Sequence, residues 1–495
     1  MRLADLTAGL DGLRLEKGGN ENIEGIAYHS QRVGPGNLFV AIEGFETDGH
    51  LYISEAVQRG AAAVVVDEGR DIPADLPEVG LVRAGDTRSA LALISDRFWD
   101  HPSGKLKLVG VTGTNGKTTT IHLIEAAMNR SGMTSGVIGT VAYRVGGREL
   151  PVGRTTPESA DLQEILANMV SEGCAAASME VSSHALALHR VDACDFDVAV
   201  FTNLSQDHLD FHTTLEDYFE EKQKLFLARA SGGLGALSAA INIDDPYGKI
   251  LAQSGEGETL TFGVKEPADL RGEILETGLK RSVIRVSLGV WRREEYTSLT
   301  GNFNLYNILA ALAASILLGL DPDRSLEAIS GHPGVPGRFQ SLEEGQDFAV
   351  IIDYAHTPDS LRRVLEAARE IAQERVIVVF GCGGDRDRGK RAIMGAIAAR
   401  LSNLSVITSD NPRTEDPLAI VREIEEGARS TSGSAVYQII SNRRTAIDTA
   451  VREAASGDVV VIAGKGHEKY QIFADRTIPF DDEVEARASL RRRLS

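Results

Sequence analysis

Val109-Gly-Val-Thr-Gly-Thr-Asn-Gly-Lys-Thr-Thr-Thr120 reads as an apolar strand running into a glycine-rich turn, a lysine and a run of hydroxyls. Ile121, Ile124 and Met128 follow at helical spacing, so the segment is a strand–loop–helix unit. Such a turn can wrap backbone N–H groups around a polyphosphate. Lys117 then reaches toward the terminal phosphates and Thr118 toward a metal ion. The spacing departs from the usual loop, because only Thr114 and Asn115 separate Gly113 from the Gly-Lys pair. A bare Gly-Lys-Thr also occurs at ordinary helix starts; the strand before it and the helix after it favour nucleotide binding.

Outward from this unit, strands and helices alternate at 106–112, 119–130, 134–138, 161–172 and 175–180, which predicts a largely parallel sheet covered by helices. Upstream, 37–42 and 61–66 read as strands, 54–59 as a short helix and 86–99 as a helix capped by Asp86. His101-Pro-Ser-Gly104 reads as a linker. Residues 258–300 show short strand-like runs that predict a small antiparallel addition, and 302–318 a long helix whose Ala-rich part, 309–320, is buried. Pro333-Gly-Val-Pro-Gly337 marks a further boundary. Beyond it, 348–353, 376–380, 404–408 and 459–463 have buried-strand patterns with helices between, a second doubly wound unit. The expected domains are 1–104, 105–336 and 337–495.

The 495 residues suit about three domains. With 42% hydrophobic and 25% charged residues the composition is that of an ordinary globular protein. Nothing resembles a signal peptide, and no apolar run reaches membrane-span length. Three scattered cysteines form no disulfide or zinc framework and fit a reducing cytoplasm. A net charge of -19 argues against nucleic-acid binding. It leaves room for an anionic small substrate, because a local basic cluster such as Arg386, Arg388, Lys390 and Arg391 can override the global sign.

Several polar loops follow predicted strands, where ligands bind in open α/β sheets. Met179-Glu180-Val-Ser-Ser183-His184 offers a carboxylate for Mg²⁺, or a set of helix caps. Thr202-Asn-Leu-Ser-Gln-Asp207-His208-Leu-Asp210-Phe-His212 packs two histidines and two aspartates into a short turn, with metal, phosphate and purely structural readings open. Lys222, in Tyr218-Phe-Glu-Glu-Lys222-Gln-Lys-Leu-Phe226, reads from its neighbours as part of a solvated helix face. Leu299 to Asn307 sets glycine and amides before a helix, and Ile351 to Asp359 puts Asp353 and His356 at a strand's end. Gly381-Cys-Gly-Gly-Asp385-Arg386-Asp-Arg388-Gly-Lys390 combines permissive glycines with arginines that can grip carboxylate or phosphate. Asp410-Asn-Pro-Arg413 and Gly464-Lys465-Gly466-His467-Glu468 complete three charged loops after buried strands, which predicts one shared crevice.

In this order, Thr112-Gly-Thr-Asn-Gly-Lys-Thr, Met179-Glu-Val-Ser-Ser-His, Thr202-Asn-Leu-Ser-Gln-Asp-His, Asp353-Tyr-Ala-His-Thr-Pro and Asp410-Asn-Pro-Arg resemble the Mur ligases of peptidoglycan synthesis, over nearly the entire chain. The resemblance implies a three-domain α/β protein: a smaller N-terminal α/β domain binding UDP, a central P-loop-type ATPase domain and a C-terminal Rossmann-like domain for an amino acid. It implies an ATP- and Mg²⁺-dependent ligase that adds meso-diaminopimelate to UDP-MurNAc-L-Ala-D-Glu through an acyl phosphate. A cytoplasmic monomer is expected. Gly113, Thr114, Asn115, Gly116, Lys117, Thr118 and Thr119 resemble the ATP loop, with Asn307 and Asp353 as further ATP-side contacts and Arg338 a weaker match. Glu180 and His208 match magnesium positions, with Thr118. Lys222 matches a lysine carbamylated in the family, which reverses the solvated-face reading. Lys117, Glu180, His208 and Lys222 are thus the implied catalytic set. Ser30, Phe45, Glu46, Thr47, Thr155, Thr156, Ser182 and Arg190 match contacts to the UDP-linked substrate. Arg386, Asp410, Asn411, Pro412, Arg413, Gly464 and Glu468 match the diaminopimelate pocket.

The sequence also departs from the family pattern, at the uridine end and elsewhere. Tyr28-His-Ser-Gln-Arg32 stands where Asp-Ser-Arg is expected, Leu188 replaces a common glutamine and Arg154 a common asparagine. Diaminopimelate carries a second carboxylate that lysine lacks, and Arg413 can pair with it, so lysine would leave a guanidinium unpaired. Other readings are a lysine-adding or folylpolyglutamate-type ligase, disfavoured by Arg413 and the uridine segment, and a scaffold without catalysis, disfavoured by the intact catalytic set.

Overall fold

The computed structural model describes residues 1–44, 47–73, 77–207, 211–227, 236–254, 257–278, 281–431 and 436–494. They form two compact units, one of residues 1–269 with 310–325 and one of residues 270–309 with 326–495.

The first unit holds two α/β sheets. The N-terminal sheet runs Leu13–Lys17, Gly80–Ala84, Ala63–Asp67, Asn37–Val40, Gly25–Ala27, parallel except at its first pair. Its three central strands are largely apolar runs covered on both faces, whereas the edge strand Leu13–Lys17 is mostly exposed. Leu38, Val40, Val65 and Val82 pack on one side, and Phe39, Val64, Val66 and Leu81 on the other. The predicted helix near 86–99 spans Thr87–Phe98, and the Asp86 carboxylate accepts from the Arg88 and Ser89 N–H groups as its cap.

In the second sheet Lys107–Thr112 lies between Ala176–Glu180 and Phe196–Phe201, all parallel. Ser135–Ile138 extends one side, and Ala236–Asn242 with Glu258–Gly263 the other. The parallel register, with Val111 opposite Glu180 and Thr112 opposite Phe201, brings the loops after these strands to one edge. An edge hairpin, Tyr143–Val145 and Arg148–Leu150, was not visible in the sequence pattern.

The antiparallel addition predicted over 258–300 needs correction at its start. Glu258–Gly263 pairs in parallel with Ala236–Asn242. Antiparallel pairing begins with the second unit's meander, Leu270–Thr277, Ser282–Leu288 and Trp291–Thr297. The helix Asn302–Leu317 follows, with Leu309 to Ala314 buried as expected.

The second unit's main sheet runs Gln340–Leu342, Ala349–Asp353, Val459–Ala463, Val376–Phe380, Leu404–Ile407, Val436–Ile439, parallel beyond its first, antiparallel pair. Helices Pro358–Ile371, Gly389–Leu401 and Pro417–Arg429 cover one face, and Arg443–Glu453 with Asp482–Leu494 the other. This is the doubly wound arrangement that places ligands beyond the strands' carboxyl ends. Cys174, Cys194 and Cys382 are all buried. No helix among the described residues is long and apolar enough to cross a membrane.

Candidate active site

The loop after Lys107–Thr112 is fixed by its own glycine. Gly113 has φ +142°, and a Cβ there would lie 1.9 Å from Thr202 Oγ1. The Thr114 N–H donates to the Asn203 carbonyl at 2.8 Å and the Asn115 N–H to Asn203 Oδ1 at 3.1 Å. Thr202 Oγ1 in turn donates to the Asn115 carbonyl at 2.7 Å. The Thr202 segment is thus the wall against which the loop is moulded. Gly116, in the left-handed region, caps the helix Lys117–Arg130. First-turn N–H groups of a helix have no acceptor within the helix, which suits them to phosphate oxygens. Lys117 Nζ donates to the Gly113 and Thr114 carbonyls at 2.8 and 2.9 Å, holding its ammonium over the loop.

Glu180 ends the neighbouring strand and is buried. Thr118 Oγ1 and the Thr140 N–H donate to its Oε1 at 2.9 and 2.8 Å, and Thr140 Oγ1 to its Oε2 at 3.3 Å. Thr118 and Glu180, far apart in sequence, therefore form one cluster of hard oxygen donors beside the loop. His208 lies outside the described residues, and among these no group of three His, Cys, Asp or Glu side chains is placed to hold a metal. His212, from the same motif, is buried and hydrogen-bonded to Ser183 Oγ at 2.8 Å, which fits the structural reading of that histidine.

The solvated-face reading of Lys222 is overturned. Helix Leu215–Gln223 buries Tyr218, Phe219 and Lys222, because residues four apart share a face. Lys222 retains 1% exposure; its Nζ donates to the Gly113 carbonyl at 3.0 Å and lies 4.4 Å from the Tyr218 ring centre. Burial, reinforced by the charge of Lys117 and opposed by Asp207, holds its pKa well below the ordinary lysine value. Burial thus favours the uncharged form of this amine over the charged one.

Thr155, Thr156, Ser182 and Arg190 are also brought together beside Glu180. Thr155 Oγ1 meets Thr140 Oγ1 at 3.0 Å, and Thr156 Oγ1 donates to the Glu180 carbonyl at 2.8 Å. The Ser182 N–H donates to Thr156 Oγ1 at 3.2 Å, while Ser182 Oγ caps the helix Ser183–Ala187. Arg190 donates to the Thr156 carbonyl at 3.2 Å and pairs with the buried Glu158 at 3.3 Å. At the N-terminal end Ser30 Oγ donates to Glu55 at 3.0 Å, and Thr47 Oγ1 to the Tyr52 hydroxyl at 3.1 Å. Phe45 and Glu46 lie outside the described residues. A cavity of about 810 Å³, lined by Tyr28, Arg32, Tyr143, Arg154, Glu158 and Asp161 among others, opens in this unit. Tyr28 donates to Asp161 across it at 2.5 Å, a pairing over 133 residues that motif reading missed.

In the second unit, Asn307 is buried and donates to Asn304 Oδ1 at 3.1 Å. Asp353 accepts from the Phe339 and Ala355 N–H groups at 2.8 Å each; burial raises its pKa against these bonds and the charge of Arg338. The three charged loops of this unit converge. The Gly384 N–H donates to the Asn411 carbonyl at 2.9 Å, and Arg413 to the Gly384 carbonyl at 2.8 Å. Arg413 has φ +51°, an uncommon left-handed backbone held by its N–H bond to Ile472 at 3.1 Å. Gly464 has φ +116°, and a Cβ there would sit 2.7 Å from Asp410 Oδ2. Asn411 donates to Glu468 Oε2 at 2.9 Å, so the second and third loops share a floor.

The basic cluster of the first loop is not a uniform anion grip. Arg391 is fully buried between Glu415 and Glu423, Arg388 pairs with Glu423, and Lys390 donates to the His356 carbonyl at 3.0 Å. Arg386, whose guanidinium donates to the Asp385 carbonyl at 3.0 Å, pairs with no acid among the described residues. Sequence reasoning also missed Arg443, buried against Asp482 at 2.6 Å and 4.0 Å from Asp410. Nothing in Asn442-Arg-Arg-Thr445 distinguishes it from an exposed helix start.

Three family models match the chain: "Mur ligase family, catalytic domain" over residues 22–98, "Mur ligase middle domain" over 111–315 and "Mur ligase, glutamate ligase domain" over 337–466. The UDP-N-acetylmuramoyl-L-alanyl-D-glutamate–2,6-diaminopimelate ligase of Caldanaerobacter subterraneus subsp. tengcongensis is 45% identical, over 97% of each chain. Its counterpart in Geobacillus thermodenitrificans is 44% identical over 100% of both chains. A solved structure of a ligase with that name is similar at TM-score 0.71 and 30% identity, covering 100% of this chain and 99% of the other. MurF ligase from Thermotoga maritima, solved with ADP, shares the fold at TM-score 0.64 and 20% identity, over 96% of this chain and 100% of the other.

Proposed function

The chain belongs to the Mur ligase family, and from that premise we propose that it joins meso-diaminopimelate to UDP-MurNAc-L-Ala-D-Glu, using ATP and Mg²⁺, as a cytoplasmic monomer. The observation that carries the reading is the convergence of Asp410–Arg413 with Gly464–Glu468, which gathers Arg413, Asp410 and Glu468 into adjoining loops. The distal centre of diaminopimelate bears both a carboxylate and an ammonium, and lysine lacks the carboxylate. Arg413 is assigned to that carboxylate and Glu468, with Asp410, to the ammonium. Arg386 is assigned to the same amino acid.

The Gly113–Thr119 loop is assigned to the ATP phosphates, with Asn307 and Asp353 as further ATP contacts. Ser30, the 45–47 loop, Thr155, Thr156, Ser182 and Arg190 are assigned to the UDP-linked substrate. Residues 1–104, 105–336 and 337–495 are taken as the corresponding domains. Thr118 and Glu180 are oxygen donors of the kind Mg²⁺ prefers, and one or two such ligands suffice when phosphates and water complete its shell. With His208 they are the residues that would hold the ion. When bound, Mg²⁺ would offset phosphate charge.

The chemistry follows from the charges. A carboxylate oxygen of D-glutamate attacks the terminal phosphorus, ADP leaves, and an acyl phosphate results. The amine then attacks the acyl carbon, phosphate leaves, and an amide forms as the amine loses a proton. The first step sets anion against anion, so Lys117 acts by neutralising charge on the transferring phosphoryl group. Lys222 is a buried amine beside the loop; its uncharged form, which burial favours, would add CO₂ with loss of a proton to give a carbamate, a further carboxylate there.

The test is ADP release with purified protein, ATP, UDP-MurNAc-L-Ala-D-Glu and diaminopimelate, each omitted in turn. Sustained release requiring both acceptor substrates is expected, and Lys117→Ala should abolish it while retaining the native circular dichroism spectrum. Release independent of the UDP-linked substrate would refute the reading.

A further inference from the structure

Lys465 stands outside the residues assigned above, yet its ammonium is one of the most enclosed charges in the protein. Its side chain has 0% exposure, against 19% for its partner Glu468. Placing an ammonium out of water is costly unless its bonds are satisfied. Here they are. Nζ donates to Glu468 Oε2 at 2.9 Å and to Asn411 Oδ1 at 3.1 Å, and lies 5.6 Å from the Tyr470 ring centre. Asn411 Nδ2 donates to the same Glu468 Oε2 at 2.9 Å, and Asn411 Oδ1 also accepts from the Ile472 N–H at 3.1 Å. Three side chains thus form a closed triangle pinned to the backbone.

The triangle is lopsided. Both bonds to Glu468 fall on Oε2, and among the described residues Oε1 receives none. Lys465 and Asn411 are buried while Glu468 keeps 19% exposure, so the carboxylate is fixed through Oε2 with its second oxygen left to take a ligand. An unrestrained glutamate would surrender rotamer entropy on gripping a ligand. One held in place by charge-assisted bonds has already done so.

Resting on the diaminopimelate reading, we infer that Lys465 is a positioning residue for amino-acid recognition: it orients Glu468 so that Oε1 receives the ammonium of the incoming diamino acid. Lys465 touches no substrate and acts through Glu468. Its effect belongs to amino-acid binding rather than to ATP or the UDP-linked substrate.

Steady-state kinetics of Lys465→Met, Glu468→Gln and the double variant with meso-diaminopimelate test this. Lys465→Met should raise the KM for diaminopimelate roughly tenfold or more, with kcat and the KM values for ATP and UDP-MurNAc-L-Ala-D-Glu within about twofold of wild type. The double variant should bind diaminopimelate no worse than Glu468→Gln alone, since a residue acting only through Glu468 has nothing left to position. If Lys465→Met does not fold, the double variant, which also removes the stranded carboxylate charge, decides by the same comparison. An unchanged KM in Lys465→Met, or additive losses in the double variant, overturns the inference and leaves the ligase reading standing. Failure of the wild-type protein to ligate diaminopimelate overturns both.

Discussion

Arg391 and Arg386 stand five residues apart in one basic loop and helix start, yet they should respond to substitution in opposite ways. Arg391 donates to Glu415 Oε1 and Oε2 at 2.8 and 2.9 Å and to Glu423 Oε2 at 2.9 Å. Its fourth contact is the Gly383 carbonyl at 3.3 Å. These bonds tie the helix Gly389–Leu401 to the Glu415 turn and to Pro417–Arg429. Arg391→Met keeps most of the aliphatic volume and removes the charge. Breaking a fully buried pair costs about 3–5 kcal/mol. Glu415 and Glu423 keep 23% and 25% side-chain exposure, so they rehydrate in part, and Arg388 remains on Glu423. The expected loss is therefore nearer 2–3 kcal/mol, roughly a 5–10 °C fall in Tm for a domain of this size. Arg386→Met should stay within about 0.5 kcal/mol of wild type while raising the KM for the amino acid. Scanning calorimetry with diaminopimelate kinetics separates the two. Wild-type stability in Arg391→Met, or a larger loss in Arg386→Met, would refute the division of roles.

Two further outcomes are expected. Gly113→Ala should lose ATP binding by titration calorimetry, because φ +142° and a Cβ 1.9 Å from Thr202 Oγ1 force the loop off its wall; wild-type affinity would contradict the loop geometry. Glu415 has its pKa lowered from 4.5 to about 2, chiefly by its bonds to Arg391. A carboxylate depressed on folding stabilises the protein fully above its unfolded pKa and loses that contribution as pH falls toward the folded value. Stability should therefore decline between about pH 4.5 and 2, and Glu415→Gln should flatten this limb in urea titrations; parallel curves would exclude the pair as a cause.

The parts of this protein legible in its sequence are those whose chemistry needs contiguous residues. The Gly113–Thr119 loop is one, since strand, turn, lysine and helix follow without a gap. Val376–Phe380 and Val459–Ala463 are others, apolar runs bounded by glycine and charge that the structure places at those same residues. Glu258–Gly263 was visible as a strand, but alternation carries no information about the direction of its partner. Lys222 was misread from its neighbours because its burial is set by the Gly113 carbonyl 109 residues away. The Tyr28–Asp161, Arg443–Asp482 and Lys465–Asn411 pairings fail for the same reason: each joins residues 39 or more apart. Family resemblance singles out Lys222, which the structure buries beside the loop, and is silent on the other three pairings.

The most direct measurement is a competition between meso-diaminopimelate and L-lysine for ligation to UDP-MurNAc-L-Ala-D-Glu, by wild type and Arg413→Ala. A site built to pair a group that the competitor lacks rejects it by large factors, on the order of 10³ or more in kcat/KM. Wild type is expected to prefer diaminopimelate by that order, and Arg413→Ala to lose most of the preference through poorer use of diaminopimelate. Equal or better use of lysine by wild type would contradict the assignment of the Asp410–Arg413 pocket.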